Sequence, residues 1–261
     1  MLELFTPKQV VIPINYQYPL SAVIYDLLSR ASAEYSRFLH RDGYLGMDGK
    51  RRKMFTFSWL QFTPRADLRR HDGQLEIKAN SHATLQIASL FIDDFLLNLI
   101  IGLTQNNCIK INQARFDVLN ITALPEPKLY KQTRFRTLSP ITLSTVRERN
   151  GLRECYYYRP LHPELARAVQ KSLVGKYETF YQRRVSPRDF KFRIDEAYIA
   201  KRGGEDRVSK LVHIKQGTPQ ESRIKAFECP FILDGPTELK RVAWHCGIGD
   251  RTSMGFGCID I

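Results

Sequence analysis

The sequence predicts an α+β fold made of two tandem ferredoxin-like (βαββαβ) domains. Three observations carry this. Strand-like and helix-like segments follow in the same order twice along the chain. A connector with two prolines, LPEPKLYKQ, separates the two runs. The length of 261 residues suffices for two cores of ordinary size. The resulting domains are 1–124 and 130–261.

In the first domain VVIPINY is β-branched and short, a strand. Pro19 opens the helical stretch PLSAVIYDLLSRASAEYSRFLH, at a position a first helical turn tolerates. RDGYLGMDGKRRK is a turn-rich basic loop, and MFTFSWLQF alternates like a strand. QLEIKAN is another strand, the apolar run Ala83 to Thr104 a second helix, and CIKINQARFDVLNI a closing strand. In the second domain FRTLSPITL and ECYYYRP read as strands, and a helix runs from Pro163 to Arg183. FKFRIDEAYIA and RIKAFECPFIL are strands, Thr237–Cys246 a short helix, and CIDI a last strand. In that short helix Leu239, Val242, Ala243 and Cys246 fall on one face. Each run spells β-α-β-β-α-β.

A hydrophobic fraction of 43% with 26% charged residues is that of a globular chain. The net charge of +13 points to a polyanionic partner, nucleic acid before an acidic membrane surface. Residues 1–124 hold 14 Lys/Arg against 11 Asp/Glu, residues 125–261 hold 26 against 16, so the second domain is the expected landing surface. The most apolar stretch carries Asp93, Asp94 and Asn98 in its middle, which argues for a soluble core helix and no membrane span. Five cysteines without a CxxC pair suggest neither a zinc site nor a disulfide framework, and the first residues lack a signal-peptide pattern. A cytoplasmic protein without metal or cofactor is expected.

The carboxyl end carries four glycines in eleven positions, GIGDRTSMGFG. A mononucleotide loop needs strand, glycines, helix; here the order is helix, loop, strand. A helix cap at Gly247 with a bulge at Gly255 or Gly257 explains one or two of the four. Bare backbone against an extended phosphate chain, with Arg251 and Ser253 adding contacts, explains the whole loop and is preferred. Among the histidines His40 stands just past an apolar helix and before Arg41-Asp42-Gly43. It is suited to proton transfer at neutral pH or to capping that helix. His71 and His82, in polar connections, are its rivals.

The glycine loop, spaced G-h-G, five residues, G-h-G, resembles that of the RAMP superfamily. With FLH before a turn at 38–43, FTFSWL at 55–60 and LSPI at 138–141, the chain resembles the CRISPR-associated endoribonucleases that process precursor CRISPR RNA. The resemblance implies metal-independent cleavage within repeats by 2′-OH attack, leaving 2′,3′-cyclic phosphate and 5′-OH ends. It also implies a catalytic role for His40. Tyr25, fifteen residues earlier, takes the place of the family's tyrosine. Unbroken helix would hold the two roughly 22 Å apart, so either the helix breaks near 29–32 or Tyr25 is only a core aromatic; the break is preferred. Lys50 is the choice for the family's lysine, with Arg52 and Lys53 as alternatives, although it stands later than the family pattern. Gly247, Gly249, Arg251, Ser253, Gly255, Gly257, Arg52, Lys53, Arg134, Arg136, Arg184 and Lys191 are the expected RNA contacts. The partner is CRISPR repeat RNA, with other CRISPR effector subunits and a second copy of the chain as further candidates. A non-cutting CRISPR RNA binder and an unrelated basic RNA-binding protein are the competing readings.

Overall fold

The computed structural model describes residues 1–64, 68–149 and 151–261. The amino-terminal half opens with a strand the sequence reading did not name, β1 (Leu2–Thr6), which buries Leu2, Leu4 and Thr6. Next come β2 (Val10–Pro13), α1 (Gln17–Ala31), α2 (Ala33–Arg41), the small hairpin β3 (Tyr44–Leu45) and β4 (Arg51–Arg52), β5 (Phe55–Phe57) and β6 (Gln61–Thr63). β7 (Leu68–His71), β8 (Gln74–Ile77), β9 (Ser81–Leu85) and β10 (Ile87–Ser89) follow. A π-helical turn at Ile92–Leu96 runs into α3 (Leu97–Thr104), and β11 (Cys108–Ile111) and β12 (Ala114–Ile121) end the half.

β12, β1, β9 and β6 lie side by side, antiparallel throughout, with β11 added outside β12. Taken in chain order that is 4-1-3-2, the ferredoxin-like sheet. Three expectations change in detail. VVIP pairs with β8 in a side sheet and stands outside the main one. The run Ala83 to Thr104 is strand before it is helix, because Ser81, Ala83 and Leu85 alternate into the core. CIKINQARFDVLNI is a hairpin turned at Asn112, whose φ is 54°.

The carboxyl-terminal half contains β13 (Gln132–Thr137), the hairpin β14 (Ser144–Arg149) and β15 (Leu152–Tyr157), α4 (Leu165–Tyr181) and β16 (Lys191–Ile194). Then come α5 (Glu196–Arg202), α6 (Glu205–Val208), the hairpin β17 (Ser209–Ile214) and β18 (Ser222–Phe227), β19 (Phe231–Asp234), α7 (Thr237–Cys246) and β20 (Ile259–Asp260). Its sheet runs β16-β19-β13-β20, the same order read from the other edge. EAYIA is helix and not strand: Asp195 accepts the Tyr198 N–H at 2.9 Å as an N-cap, and Gly203 ends the turn in a left-handed conformation.

Each half has its own apolar core, the first under α1 and α3, the second under α4 and α7. The halves also interlock. Met54 belongs to the second core although it precedes β5, and Trp59 N–H donates to Leu138 O at 3.0 Å. Among the described residues no helix is long and apolar enough to cross a membrane.

Candidate active site and nucleic-acid interface

The helical stretch before His40 does break. Ser32 is extended (φ −150°, ψ 103°); it ends α1 and caps α2, its Oγ accepting the Tyr35 N–H at 3.2 Å. Ser36 Oγ donates to Tyr25 O at 2.9 Å and fastens the second helix back on the first. The reversal sets the Tyr25 ring edge-on to the His40 ring, with centroids 5.1 Å apart. His40 is exposed in the last turn of α2. Tyr25 is half-buried, and burial pushes its phenol up to about 12, against the opposing effect of a hydrogen bond with Ser253. The two rings line a pocket of about 320 Å³ with Ser29, Ser36, Arg37 and Arg41.

A larger cleft of about 780 Å³ lies between the halves. One wall is the β3–β4 hairpin and the residues after it, with Lys50, Arg51, Arg52 and Lys53. The other is α4, with Arg167, Lys171 and Lys176, and the segment Gly249 to Ser253 closes one side. Lys53 joins cleft to pocket: its Nζ donates to His40 O at 2.6 Å, and burial lowers its pKa. Lys50 stands at the hairpin turn, where its N–H donates to Asp48 Oδ1 at 3.1 Å. Arg52 is engaged within the protein. It donates to both Asp48 oxygens, at 2.8 and 2.6 Å, and to Thr179 Oγ1 at 3.0 Å. That pairing holds the Asp48 carboxyl down to about 2.

The glycine loop resolves differently from the expectation. What approaches its backbone is protein. A Cβ on Gly257 would overlap Ile248 O, and one on Gly249 would overlap Thr142 O; both glycines have positive φ. The two G-h-G arms pair through Ile248 N–H to Gly257 O at 2.8 Å. The apolar positions plug different cores, Ile248 the second and Phe256 a third small one with Val212 and Ile224. Gly247, Gly255 and Gly257 are therefore buried shape-givers, while Gly249, Arg251 and Ser253 line the cleft. The loop also reaches the pocket: Ser21 Oγ donates to Ser253 O at 2.8 Å, one helical turn from Tyr25.

The remaining expected contacts lie elsewhere. Arg134 and Arg136 stand on the exposed face of β13, paired with Asp195 and Asp260 at 2.6 and 2.8 Å. Lys191 is on the same sheet, and Arg184 follows α4, 3.4 Å from Glu178. His71 and His82 line neither the pocket nor the cleft. Sequence reasoning did not name Arg167, Lys171 or Lys176. Lys176 had a signal: it follows Leu165, Val169 and Leu173 on the buried stripe of α4. Among the described residues no group of three or more His, Cys, Asp or Glu is placed to hold a metal ion.

Fold and site together define a class: paired ferredoxin-like units around a basic cleft, with a histidine–tyrosine pair at one end. Residues 11–122 match "CRISPR-associated protein Cas6, N-terminal" and residues 124–261 match "CRISPR associated protein Cas6, C-terminal". The chain belongs to the Cas6 family. It is 27% identical over 258 residues to the CRISPR-associated endoribonuclease Cas6 1 of Methanocaldococcus jannaschii, covering 99% of this chain and 90% of that protein. It is 27% identical over 250 residues to the CRISPR-associated endoribonuclease Cas6 of Pyrococcus furiosus, covering 96% and 83%. A solved CRISPR associated protein Cas6 superimposes with a TM-score of 0.74 at 26% identity, covering 99% and 96%.

Proposed function

We propose that this protein is an endoribonuclease that cuts precursor CRISPR RNA within its repeats by internal transesterification, without a metal ion. The observation that carries this is the Tyr25–His40 pair, ring against ring at 5.1 Å, beside a cleft walled by lysine and arginine. In the step, the 2′-OH loses its proton, its oxygen bonds to the adjacent phosphorus, and the P–O5′ bond breaks as O5′ takes a proton. His40 is the side chain type that exchanges protons at neutral pH. Tyr25, with its phenol held up near 12, keeps its proton at that pH and acts as donor. Lys53 is preferred to Lys50 for the charge on the crowded phosphate, because its ammonium already touches the His40 main chain.

In this reading residues 1–124 carry the chemistry and residues 130–261 hold the RNA. Arg134, Arg136, Lys191 and Arg184 extend the track outside the cleft through phosphate contacts. The test is incubation of the purified protein with the host's repeat RNA in EDTA. Cleavage with a 2′,3′-cyclic end is expected, and a 2′-deoxy residue just upstream of the scissile phosphate should abolish it. Turnover of the deoxy substrate, or an absolute metal requirement, rules the mechanism out.

A further inference from the structure

Two lysines of the carboxyl-terminal half are buried, Lys176 at 6% exposure and Lys240 at 1%. Both satisfy their ammonium groups with main-chain carbonyls. Lys240 holds Tyr130, Lys131 and Gly235, away from the cleft. Lys176 holds the glycine loop: its Nζ donates to Gly247 O at 2.7 Å and Gly249 O at 2.9 Å, with Cys246 O at 3.4 Å. One turn earlier on α4, Ser172 Oγ adds a bond to Gly249 O at 3.1 Å. These carbonyls follow the carboxyl end of α7, where a helix leaves acceptors without partners and concentrates partial negative charge. Of the three, Gly249 lines the cleft together with Lys176, and residues 246 and 247 lie behind it.

We propose that Lys176 is a positioning residue for RNA binding. It draws the Gly249 carbonyl oxygen at the cleft, and those of residues 246 and 247 behind it, onto itself, so that a polyanion in the cleft meets the side chains of the loop and not the free lone pairs of a carboxyl-terminal helix end. The proposal rests on the RNA-cleaving reading above. The charged or titratable groups facing Lys176 are the Cys246 thiol on α7, the Asp250 carboxyl in the loop and the Arg52 guanidinium on β4. Burial pushes the ammonium down to about 8, while its three carbonyl acceptors call for three donor hydrogens, which only the charged form carries. The rings of Tyr25 and His40 are set by α1 and α2, so the loss of Lys176 should weaken binding more than it slows the chemical step.

The experiment compares the wild-type protein with Lys176→Met, which keeps length and removes the ammonium. Repeat RNA affinity and the single-turnover rate at saturating RNA are both read. The expected result is a dissociation constant raised about tenfold or more with the saturated rate within about threefold. Wild type that binds no repeat RNA overturns the cleavage reading and this proposal with it. Wild type that binds, with a folded Lys176→Met protein binding within about twofold of it, overturns this proposal alone. Should the methionine protein fail to unfold cooperatively, 15N-lysine-labelled wild type supplies the measurement. Two lysine ammonium signals protected from exchange are expected, and saturating RNA should shift the one from Lys176 while that of Lys240 stays. A Lys176 signal indifferent to RNA overturns the assignment.

Discussion

The Tyr25–His40 pair and the glycine loop meet at Ser253 but are made in opposite ways. The pair is side-chain work: two rings on two successive helices, one of the rings exposed, aligned by a single extended residue, Ser32. The loop is main-chain work: buried glycines, crossing arms and a buried lysine beneath. The first region can lose a functional group and keep its shape. The second has almost no functional groups to lose and depends on shape throughout.

The sharpest test of that contrast is His40→Ala. Cleavage should fall by about 10²–10⁴-fold with RNA affinity and melting temperature nearly unchanged, measured by single-turnover assay, filter binding and calorimetry. In the loop, Gly257→Ala should do the reverse and cost stability directly, about 2–4 kcal/mol by urea unfolding. Gly49→Ala is its control: φ there is also positive, at 73°, but nothing lies within 4 Å of the new Cβ. It should cost only about 1–2 kcal/mol, so the difference isolates crowding by Ile248. A smaller effect is expected at the joint between α1 and α2. Ser32→Ala removes the cap on α2 and should cost about 0.5–2 kcal/mol, with a drop in cleavage rate that exceeds any change in RNA affinity.

The smallest effect concerns the cleft wall and depends on pH. Asp48 has its folded pKa depressed to about 2 from 3.8 by Arg52, so its contribution is present above pH 3.8 and lost as pH falls through about 2. The pair is partly solvated, so Asp48→Asn should destabilise by less than about 1 kcal/mol at pH 7, and the difference from wild type should vanish below pH 2. Chemical denaturation across that range checks it. A larger or pH-independent loss would make the hairpin, and not only the loop, a region dependent on shape.

What could be read from the chain beforehand follows the same division. Local signals served well at α7, which runs over the predicted Thr237–Cys246; the break before His40 was expected from the family resemblance, which needs Tyr25 and His40 close together, and it falls at Ser32, inside the expected 29–32. The run Ala83 to Thr104 was misread because a largely apolar stretch fits strand and helix alike; only the alternation at Ser81, Ala83 and Leu85 marked the strand. The purpose of the glycines was hidden for a different reason. Ile248, inside the motif, excludes a side chain at Gly257, but the atoms that crowd Gly247, Gly249 and Gly255 include Thr56, Thr142 and Phe57, more than a hundred residues away, and nothing near the motif announces those. Lys53 was hard to rank above Lys50 because the carbonyl it reaches lies across a hairpin.

Arg52 crosses to α4 through a gap where two glycines stand. A Cβ on Gly175 would overlap its Nη2, and one on Gly46 its Nη1. Side chains at positions 46 and 175 are therefore sterically coupled to the one at 52 despite their distance along the chain. An aligned set of related sequences should show them covarying: where 175 or 46 gains a side chain, 52 shortens, and the carboxylate at 48 is released from constraint in the same lineages.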